Sequence, residues 1–162
     1  MDLAPAHQRY WQAYLDQLPA EADDLRNSRV IVEPAGSPAI TDHLIDLYLA
    51  GTKTAGSGLL ADYESAGDPL PRVGDHWVAL GASGEPRSIL RTESVETHAF
   101  RDVPERIAHA EGEGDRTLAT WRRLHAEFYA PHLEAWGVED LEQATVVTEF
   151  FALVFGEQGL AE

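Results

Sequence analysis

The stretch Gly51-Thr52-Lys53-Thr54-Ala55-Gly56-Ser57-Gly58 follows an apolar helical pattern and consists mostly of small residues. The preceding helix is predicted to begin with Ser37 as its N-cap and Pro38 in its first turn. Gly51 is predicted to end this helix. The Lys53 segment should therefore leave a helix end and enter a turn or a strand. The apolar stripe of the helix consists of Ile40, Leu44, Leu47 and Tyr48.

The rest of the chain alternates between helical and strand patterns. Residues 19–27 and 63–72 are predicted to be a connector and a loop, and Val73-Gly74-Asp75 a turn into a strand. An order of helices, strands, helices and a final central strand favours an α+β class with a small mixed sheet or barrel. The other predicted helices cover residues 7–18, 102–110 and 117–132, and the predicted strands cover 29–33, 76–80, 87–98 and 144–155.

Length and composition predict one intracellular domain. The chain has 162 residues, a size typical of a single domain with its own core. It contains no cysteine, which excludes disulfides and thiolate chemistry. No apolar run reaches the roughly 20 residues of a membrane helix. The first residues lack the features of a signal peptide, so a cytoplasmic location without membrane association is expected.

The charge restricts the partners. The formal net charge is -16, from 28 acidic and 12 basic residues. A surface this negative repels a polyanion, so a long nucleic acid cannot be held by a general basic patch. Any nucleic-acid ligand should be short or should bind in a local basic pocket.

Lys53 is the only lysine, and the other eleven basic side chains are arginines. It is either the one lysine left in an arginine-biased chain or a functional amine. An ammonium is compact and loses its proton on burial far more readily than a guanidinium, so lysine can act as a base. Thr54 and Ser57 lie close in sequence and resemble a hydroxyl nucleophile beside an amine base. The pattern is not a P-loop, in which the lysine follows the glycines and precedes a helix.

Two further features have a functional and a structural interpretation. The segment Glu111-Gly112-Glu113-Gly114-Asp115 either caps the following helix or contributes carboxylates to a site, and capping does not require its alternating glycines. Tyr48 and the pair Phe128-Tyr129 could stack on a nucleobase, and the alternative is that Tyr48 and Phe128 pack in the core. The histidines show no metal-binding spacing, and His125 is predicted to be a satisfied, partly buried residue on an apolar stripe.

Four blocks together carry a family resemblance. They are Leu49–Ala55, Pro71–Asp75, Glu111–Asp115 with Trp121-Arg122, and Val147–Phe150. In this order they resemble the ASCH-domain superfamily over residues 29 to 156, and the longer bacterial subgroup with a helical N-terminal extension fits best. The resemblance implies a PUA-like fold, a small mixed β-barrel flanked by helices. It also implies a helical extension at residues 1–28 and an ASCH domain at residues 29–162.

The resemblance also implies a function. Relatives with this fold are tied to RNA binding and nucleoside modification. Small bacterial members that hydrolyse acetylated cytidine use a lysine, a threonine three residues later and a downstream glutamate. These positions correspond here to Lys53, to Gly56 and to Glu113, so Ser57 or Thr54 would have to supply the hydroxyl. Some longer members are linked instead to RNA cleavage.

The chain is therefore expected to bind a short single-stranded RNA or a nucleotide around Lys53 and to act as a ribonuclease-like hydrolase. The alternatives are a non-catalytic binding module and an amidohydrolase of N4-acylated cytidine that uses Ser57. No cofactor or metal is expected, and the oligomeric state stays open. The candidate catalytic residues are Lys53, Glu113, Ser57 and Thr54, and the candidate ligand-binding residues are Tyr48, Arg91, Glu111 and Tyr129.

Overall fold

The computed structural model describes residues 3–156. Its helices are α1 (Pro5–Leu15), α2 (Asp23–Arg26), α3 (Thr41–Leu49), α4 (Leu60–Ala66), α5 (Glu105–Glu111) and α6 (Leu118–Tyr129). Its strands are β1 (Val30–Pro34), β2 (Ala55–Leu59), β3 (His76–Leu80), β4 (Pro86–Ala99) and β5 (Thr145–Gly156). Short 3₁₀ turns occur at Phe100–Asp102, Ala130–His132 and Leu141–Gln143. The helices and the mixed sheet confirm the predicted α+β class.

The five strands form one sheet in the order β1-β3-β4-β5-β2. β1 runs parallel to β3, whereas the β3–β4 and β2–β5 pairs are antiparallel. β5 has a neighbour on each side, as predicted for a strand whose residues are apolar on both faces. The β2–β5 register places Ser57 opposite Thr148, so the two side chains are neighbours on the sheet.

The described residues form two compact units. The first unit comprises residues 3–51, 73–93 and 151–156, and the second comprises 52–72 and 94–150. The first unit therefore contains α1, α2, α3, β1 and β3, and the second contains β2, α4, α5 and α6. The predicted boundary between residues 28 and 29 stays a prediction.

The first unit has two apolar clusters. In one, Trp11 and Tyr14 of α1 pack with strand residues such as Val78 and Ile89. The other contains Tyr48 of α3, whose ring contacts Trp77 and Phe151 edge-on. Burial of these large side chains holds the first helix and α3 in place.

A buried histidine lies in the first unit, at the start of β3. The hydroxyl of Ser28 donates to the Leu25 carbonyl at 2.9 Å, so its oxygen accepts from His76 Nδ1 at 2.6 Å. His76 Nε2 then accepts from the Tyr14 hydroxyl at 3.1 Å. Burial, together with the nearby Arg91, lowers the pKa of His76 to about 4. His76 is therefore a neutral structural link between α1, β3 and the segment before β1.

The second unit has its own core. Leu59 and Val146, from the paired strands β2 and β5, pack with Ile107 of α5 and Trp121 of α6. Arg122 donates to the Phe100 carbonyl at 2.9 Å and its guanidinium lies 5.6 Å from the Phe100 ring centroid. These contacts fix α5 and α6 against the strands that carry the candidate site.

Four local predictions are wrong. The connector predicted at residues 19–27 contains the short helix α2, and Phe128, predicted to pack in the core, is 55% exposed. Residues 63–72 were expected to be a loop, but Tyr63 lies in α4, and irregular chain follows only after Gly67. Ser37 does not cap a helix, because residues 37–40 form a turn and α3 begins at Thr41. The Thr41 hydroxyl donates to the Ala35 carbonyl at 2.6 Å and the Ser37 carbonyl at 2.9 Å, which stabilises the turn in place of an earlier helix start.

Within residues 3–156, no helix is both long enough and apolar enough to cross a bilayer.

Candidate functional site

The site lies within the second unit, where the segment before β2 meets the end of α5. The Thr54 N–H donates to the Ala110 carbonyl at 2.7 Å, which joins two segments 56 residues apart. Odd-numbered residues of β2 face the interior, since Ala55 and Leu59 are fully buried. Ser57 shares their parity and therefore points to the same side.

Gly112 allows this close approach. It follows α5 with a φ of +69°, a conformation that favours glycine. A Cβ at this position would overlap the Thr52 carbonyl oxygen and lie 3.1 Å from the Lys53 Cα. The glycine between the two glutamates is therefore required for the backbone of Thr52 and Lys53 to lie against the end of α5.

Lys53 is a buried cation between two carboxylates. Its side chain is only 6% exposed, and Nζ lies 3.5 Å from Glu111 Oε1 and 3.3 Å from Glu113 Oε2. Nζ also donates to the Glu111 backbone carbonyl at 3.2 Å. Glu113 is 28% exposed, so its carboxylate forms the solvent-facing side of the cluster.

Glu111 is the centre of the cluster and is only 2% exposed. Oε2 accepts a hydrogen bond from the Ser57 hydroxyl at 2.8 Å and another from the Trp121 indole N–H. Oε1 lies 3.2 Å from His125 Nε2 as well as 3.5 Å from Lys53 Nζ.

Three of these donor groups determine the charge of Glu111. Burial alone acts to raise the pKa of the Glu111 carboxyl. Contacts with His125, followed by those with Lys53 and Trp121, outweigh burial and hold this pKa at about 2. Glu111 is thus an ionised acceptor at neutral pH.

Ser57 brings a hydroxyl to the same carboxylate. Besides Glu111, its Oγ lies 2.7 Å from the hydroxyl oxygen of Thr148, the residue opposite it on β5. The Tyr129 hydroxyl donates to the Ser57 backbone carbonyl at 3.4 Å. Serine, carboxylate and amine therefore form a continuous chain of contacts through Ser57, Glu111 and Lys53.

One group of described residues has donor atoms close enough to hold a metal ion. It consists of Glu111, Glu113 and His125, whose donor atoms lie within 4.8 Å of one another. The Lys53 ammonium contacts both of these carboxylates and already supplies the positive charge that a metal would bring. The arrangement is therefore an ion-paired cluster in which the Lys53 ammonium lies between the carboxylates of Glu111 and Glu113.

The structure brings together four of the sequence-predicted site residues. Lys53, Ser57, Glu111 and Glu113 lie in one cluster, although Glu111 was expected only to bind ligand. Tyr129 borders the cluster through its hydroxyl, while its ring is buried in the core. Their chemical roles stay predictions.

The other predicted residues are not members of this cluster. Thr54 is exposed, and its hydroxyl donates to the Ala110 carbonyl at 3.3 Å. Tyr48 and Arg91 belong to the first unit, where Tyr48 is buried in the core and Arg91 lies 3.4 Å from Glu93. Asp115 accepts hydrogen bonds from Thr117, which is the residue that caps α6.

Sequence reasoning missed three members of the cluster. Trp121 and Thr148 were noted within the blocks that resemble the family, and His125 was predicted to be a satisfied residue on an apolar stripe. Trp121 and His125 are four residues apart and therefore lie on one face of the helix. The available signal was His125 itself, a polar residue on a face predicted to lie in the core. Thr148 was one of two threonines in the mostly apolar strand β5.

A surface cavity of about 460 Å³ lies elsewhere in the second unit. It is lined by the start of α4 and by residues 137–140 and 143–145, none of which belongs to the cluster.

Fold and cluster together define a mixed α/β domain that carries a buried lysine–carboxylate centre. The family model of the ASCH domain matches residues 30–155, so the chain belongs to the ASCH domain family, with its PUA-like fold. None of the curated proteins matches the chain.

Two solved structures are similar to it. An ASCH domain from Lactobacillus crispatus is 27% identical with a TM-score of 0.87, over 95% of this chain and 97% of that one. A protein from Enterococcus faecalis is 24% identical with a TM-score of 0.73, over 96% of this chain and 92% of that one. The second likeness supports the fold alone.

Proposed function

We propose that this ASCH protein hydrolyses an acyl–nitrogen bond in a small, uncharged nucleoside-type ligand, with an N4-acylated cytidine as the representative substrate. The observation that carries the proposal is the hydrogen bond of 2.8 Å from the Ser57 hydroxyl to the ion-paired carboxylate of Glu111. A hydroxyl that donates to a fixed acceptor has the arrangement of an activated nucleophile. Ser57 thus supplies the hydroxyl that the family pattern would place at Gly56.

In the proposed reaction, Ser57 Oγ attacks the acyl carbon and its proton passes to Glu111 Oε2. The carbonyl electron pair moves onto oxygen, and the Lys53 ammonium stabilises the resulting oxyanion. Glu111 then gives the proton to the departing nitrogen as the carbon–nitrogen bond breaks. Water hydrolyses the acyl-serine, with Glu111 again accepting a proton and returning it to Ser57.

The low pKa of Glu111 describes the resting cluster. It is held near 2 partly by the Lys53 ammonium, which lies 3.5 Å from Oε1. When Lys53 turns toward the oxyanion, Glu111 loses one of the contacts that stabilise its charged form. Its proton affinity then rises at the moment when the Ser57 proton is transferred.

The electrostatics of the cluster favour an uncharged substrate over a phosphodiester. Lys53 contacts two carboxylates, and the whole chain carries a net charge of -16. A phosphate near Lys53 would be attracted by one ammonium and repelled by Glu111 and Glu113. RNA cleavage, the activity first expected from the sequence, is therefore the less favoured of the two hydrolytic reactions.

The test compares N4-acetylcytidine with a labelled single-stranded RNA of about ten nucleotides. We expect release of cytidine, and we expect Ser57→Ala and Lys53→Met each to reduce kcat by at least the roughly 10²-fold that acid–base catalysis supplies. Ser94→Ala, at an exposed serine of β4 in the same unit, is the matched control.

Other outcomes select the alternatives. Cleavage of the RNA without deacylation would replace this proposal with a ribonuclease. Loss of deacylation in Thr54→Ala but not in Ser57→Ala would assign the nucleophile to Thr54. Binding of either compound without turnover would identify a non-catalytic binding module.

A further inference from the structure

His125 has a fixed orientation beside Glu111. It lies on α6, one turn after Trp121, and the two rings stack with centroids 4.1 Å apart and an interplanar angle of 19°. Its Nδ1 lies 2.8 Å from the Trp121 backbone carbonyl. A carbonyl oxygen only accepts, so Nδ1 carries a hydrogen and donates it.

This assignment determines what lies between His125 and Glu111. Nε2 is 3.2 Å from Glu111 Oε1, and one proton is shared along this line, nearer the nitrogen or nearer the oxygen. The other carboxylate oxygen, Oε2, accepts from Ser57 and from the indole N–H of Trp121, which is solely a donor. Both placements of the shared proton leave Oε2 without one.

We infer that His125 is a positioning residue that confines this proton to the Oε1 side of Glu111 and keeps Oε2 free to accept the proton of Ser57. The inference rests on the proposed function, in which Oε2 is the acceptor. As the Ser57 oxygen–hydrogen bond breaks and the bond to the acyl carbon forms, the proton moves to Oε2. The proton shared with His125 stays on the Oε1 side throughout.

The other titratable groups at the cluster do not duplicate this role. Lys53, before β2, contacts Oε1 and Glu113, and Glu113 lies on the solvent side. Tyr129, on α6, has its ring 5.8 Å from that of His125. Burial raises the pKa of Tyr129 well above its usual value, as do the charges of Glu111 and Glu113 and the nearby Tyr63 and Asp62 of α4, so it stays neutral. Lys53 also donates to a carbonyl, that of Glu111, but its Nζ lies 3.5 Å from Oε1, so His125, whose Nε2 lies at 3.2 Å, is the nearer of the two titratable groups.

The first test titrates the Glu111 carboxyl by carbon-13 NMR, assigned by its absence in Glu111→Gln. We compare the wild type with His125→Phe, which keeps the aromatic ring and removes both hydrogen bonds. We expect the Glu111 pKa to rise by more than about one unit, because burial then meets fewer opposing contacts. His132→Phe is the matched control, since His132 also stacks on a tryptophan, Trp136, with centroids 5.0 Å apart, but is exposed.

The second test uses turnover of N4-acetylcytidine. His125→Phe should lower kcat by at least about tenfold but by less than the roughly 10²–10⁴-fold range of a general base, with KM unchanged within about twofold. His125→Gln retains an N–H donor for Oε1 and should recover part of kcat. His132→Phe should leave both constants unchanged.

Three outcomes would overturn the inference: an unchanged Glu111 pKa in His125→Phe, a nitrogen-15 spectrum in which Nδ1 of His125 bears no proton, or an unchanged kcat. If His125→Phe does not fold, His125→Gln is used for the same titration, in which the amide N–H still donates to Oε1 and the pKa of Glu111 should rise by less. If the wild-type protein hydrolyses no acylated cytidine, the proposed function fails, while the titration and the nitrogen-15 spectrum still decide whether His125 positions the proton.

Discussion

Replacing Lys53 by methionine tests whether the ammonium holds the cluster together. Methionine keeps much of the length and apolar volume of the lysine side chain and removes the charge. Glu111 would then stay buried at 2% exposure and lose a cation 3.5 Å from Oε1. Glu113 would lose its contact at 3.3 Å.

The magnitude follows from the burial of each partner. Breaking a buried ion pair by removing one partner costs about 3–5 kcal/mol, because a buried charge is left without compensation. Glu113 is 28% exposed, so water replaces part of its interaction. Glu111 keeps its contacts with His125, Trp121 and Ser57. We therefore expect the free energy of unfolding to fall by about 3 kcal/mol, the lower end of that range.

The assay is urea denaturation at pH 7, followed by tryptophan fluorescence. With a slope of about 2 kcal/mol/M, the loss moves the midpoint down by roughly 1.5 M. Arg106→Met is the matched control, since Arg106 lies 2.7 Å from Glu96 but the two side chains are 56% and 34% exposed. Removing this exposed pair should cost about 0–1 kcal/mol.

The double variant Lys53→Met/Glu111→Gln isolates the interaction between the two residues. If their charges are coupled, it should be more stable than the sum of the two single changes predicts. A Lys53→Met protein as stable as Arg106→Met, or strict additivity in the double variant, would refute the interpretation of Lys53 as the cation that stabilises buried Glu111.

Four further predictions concern other parts of the molecule. Lys53→Arg should retain the fold but lose turnover, because a planar guanidinium differs in size and proton affinity from an ammonium; full activity by cytidine release would contradict a lysine-specific role. Gly112→Ala should destabilise the protein by clearly more than Gly137→Ala in urea, since both have a positive φ but only Gly112 lies against Thr52 and Lys53, whereas nothing lies within 4 Å at Gly137. The free energy of unfolding should decrease by up to about 3 kcal/mol as pH falls from about 6.5 to about 4. In this pH range His76 binds a proton in the unfolded chain but stays neutral while buried in the folded chain. His76→Gln should lack this dependence in that pH window. Long RNA should bind weakly, with a salt slope of only about -0.7 for each phosphate contact, so tight binding at physiological salt would reveal a basic surface that a net charge of -16 does not suggest.

Local pattern predicted most of the elements. The strand His76–Leu80 was predicted at its observed bounds, because a turn signal precedes a short run of β-formers. Gly51, with a φ of +73°, follows the end of α3 as expected for a helix stop. The missed helix α4 follows a glycine-containing strand and lies ahead of two prolines, so the turn signals outweighed its weak helical pattern.

The candidate site was only partly predictable. Lys53 was conspicuous as the only lysine, and the glutamates at 111 and 113 stood out on either side of Gly112. Which glutamate would be buried was not visible, because both lie directly beside Gly112 in the same short segment. The end of α5 decides it, since Glu111 belongs to the last turn of the helix and faces α6, whereas Glu113 follows Gly112 and faces solvent.

By itself, the sequence determined the class of the fold, the family resemblance, the strong negative charge and the identity of the one amine. These properties depend on composition, on periodicity and on motifs within a few residues, which need no knowledge of long-range contacts. Only the tertiary structure decided that Ser57 meets Glu111 and that His125 and Thr148 join them. The register of β2 against β5 pairs Ser57 with Thr148, 91 residues away, and the contact of α5 with the segment before β2 brings Glu111 to Lys53 across 58 residues. Such pairings arise from the packing of whole elements, so no local pattern could specify them.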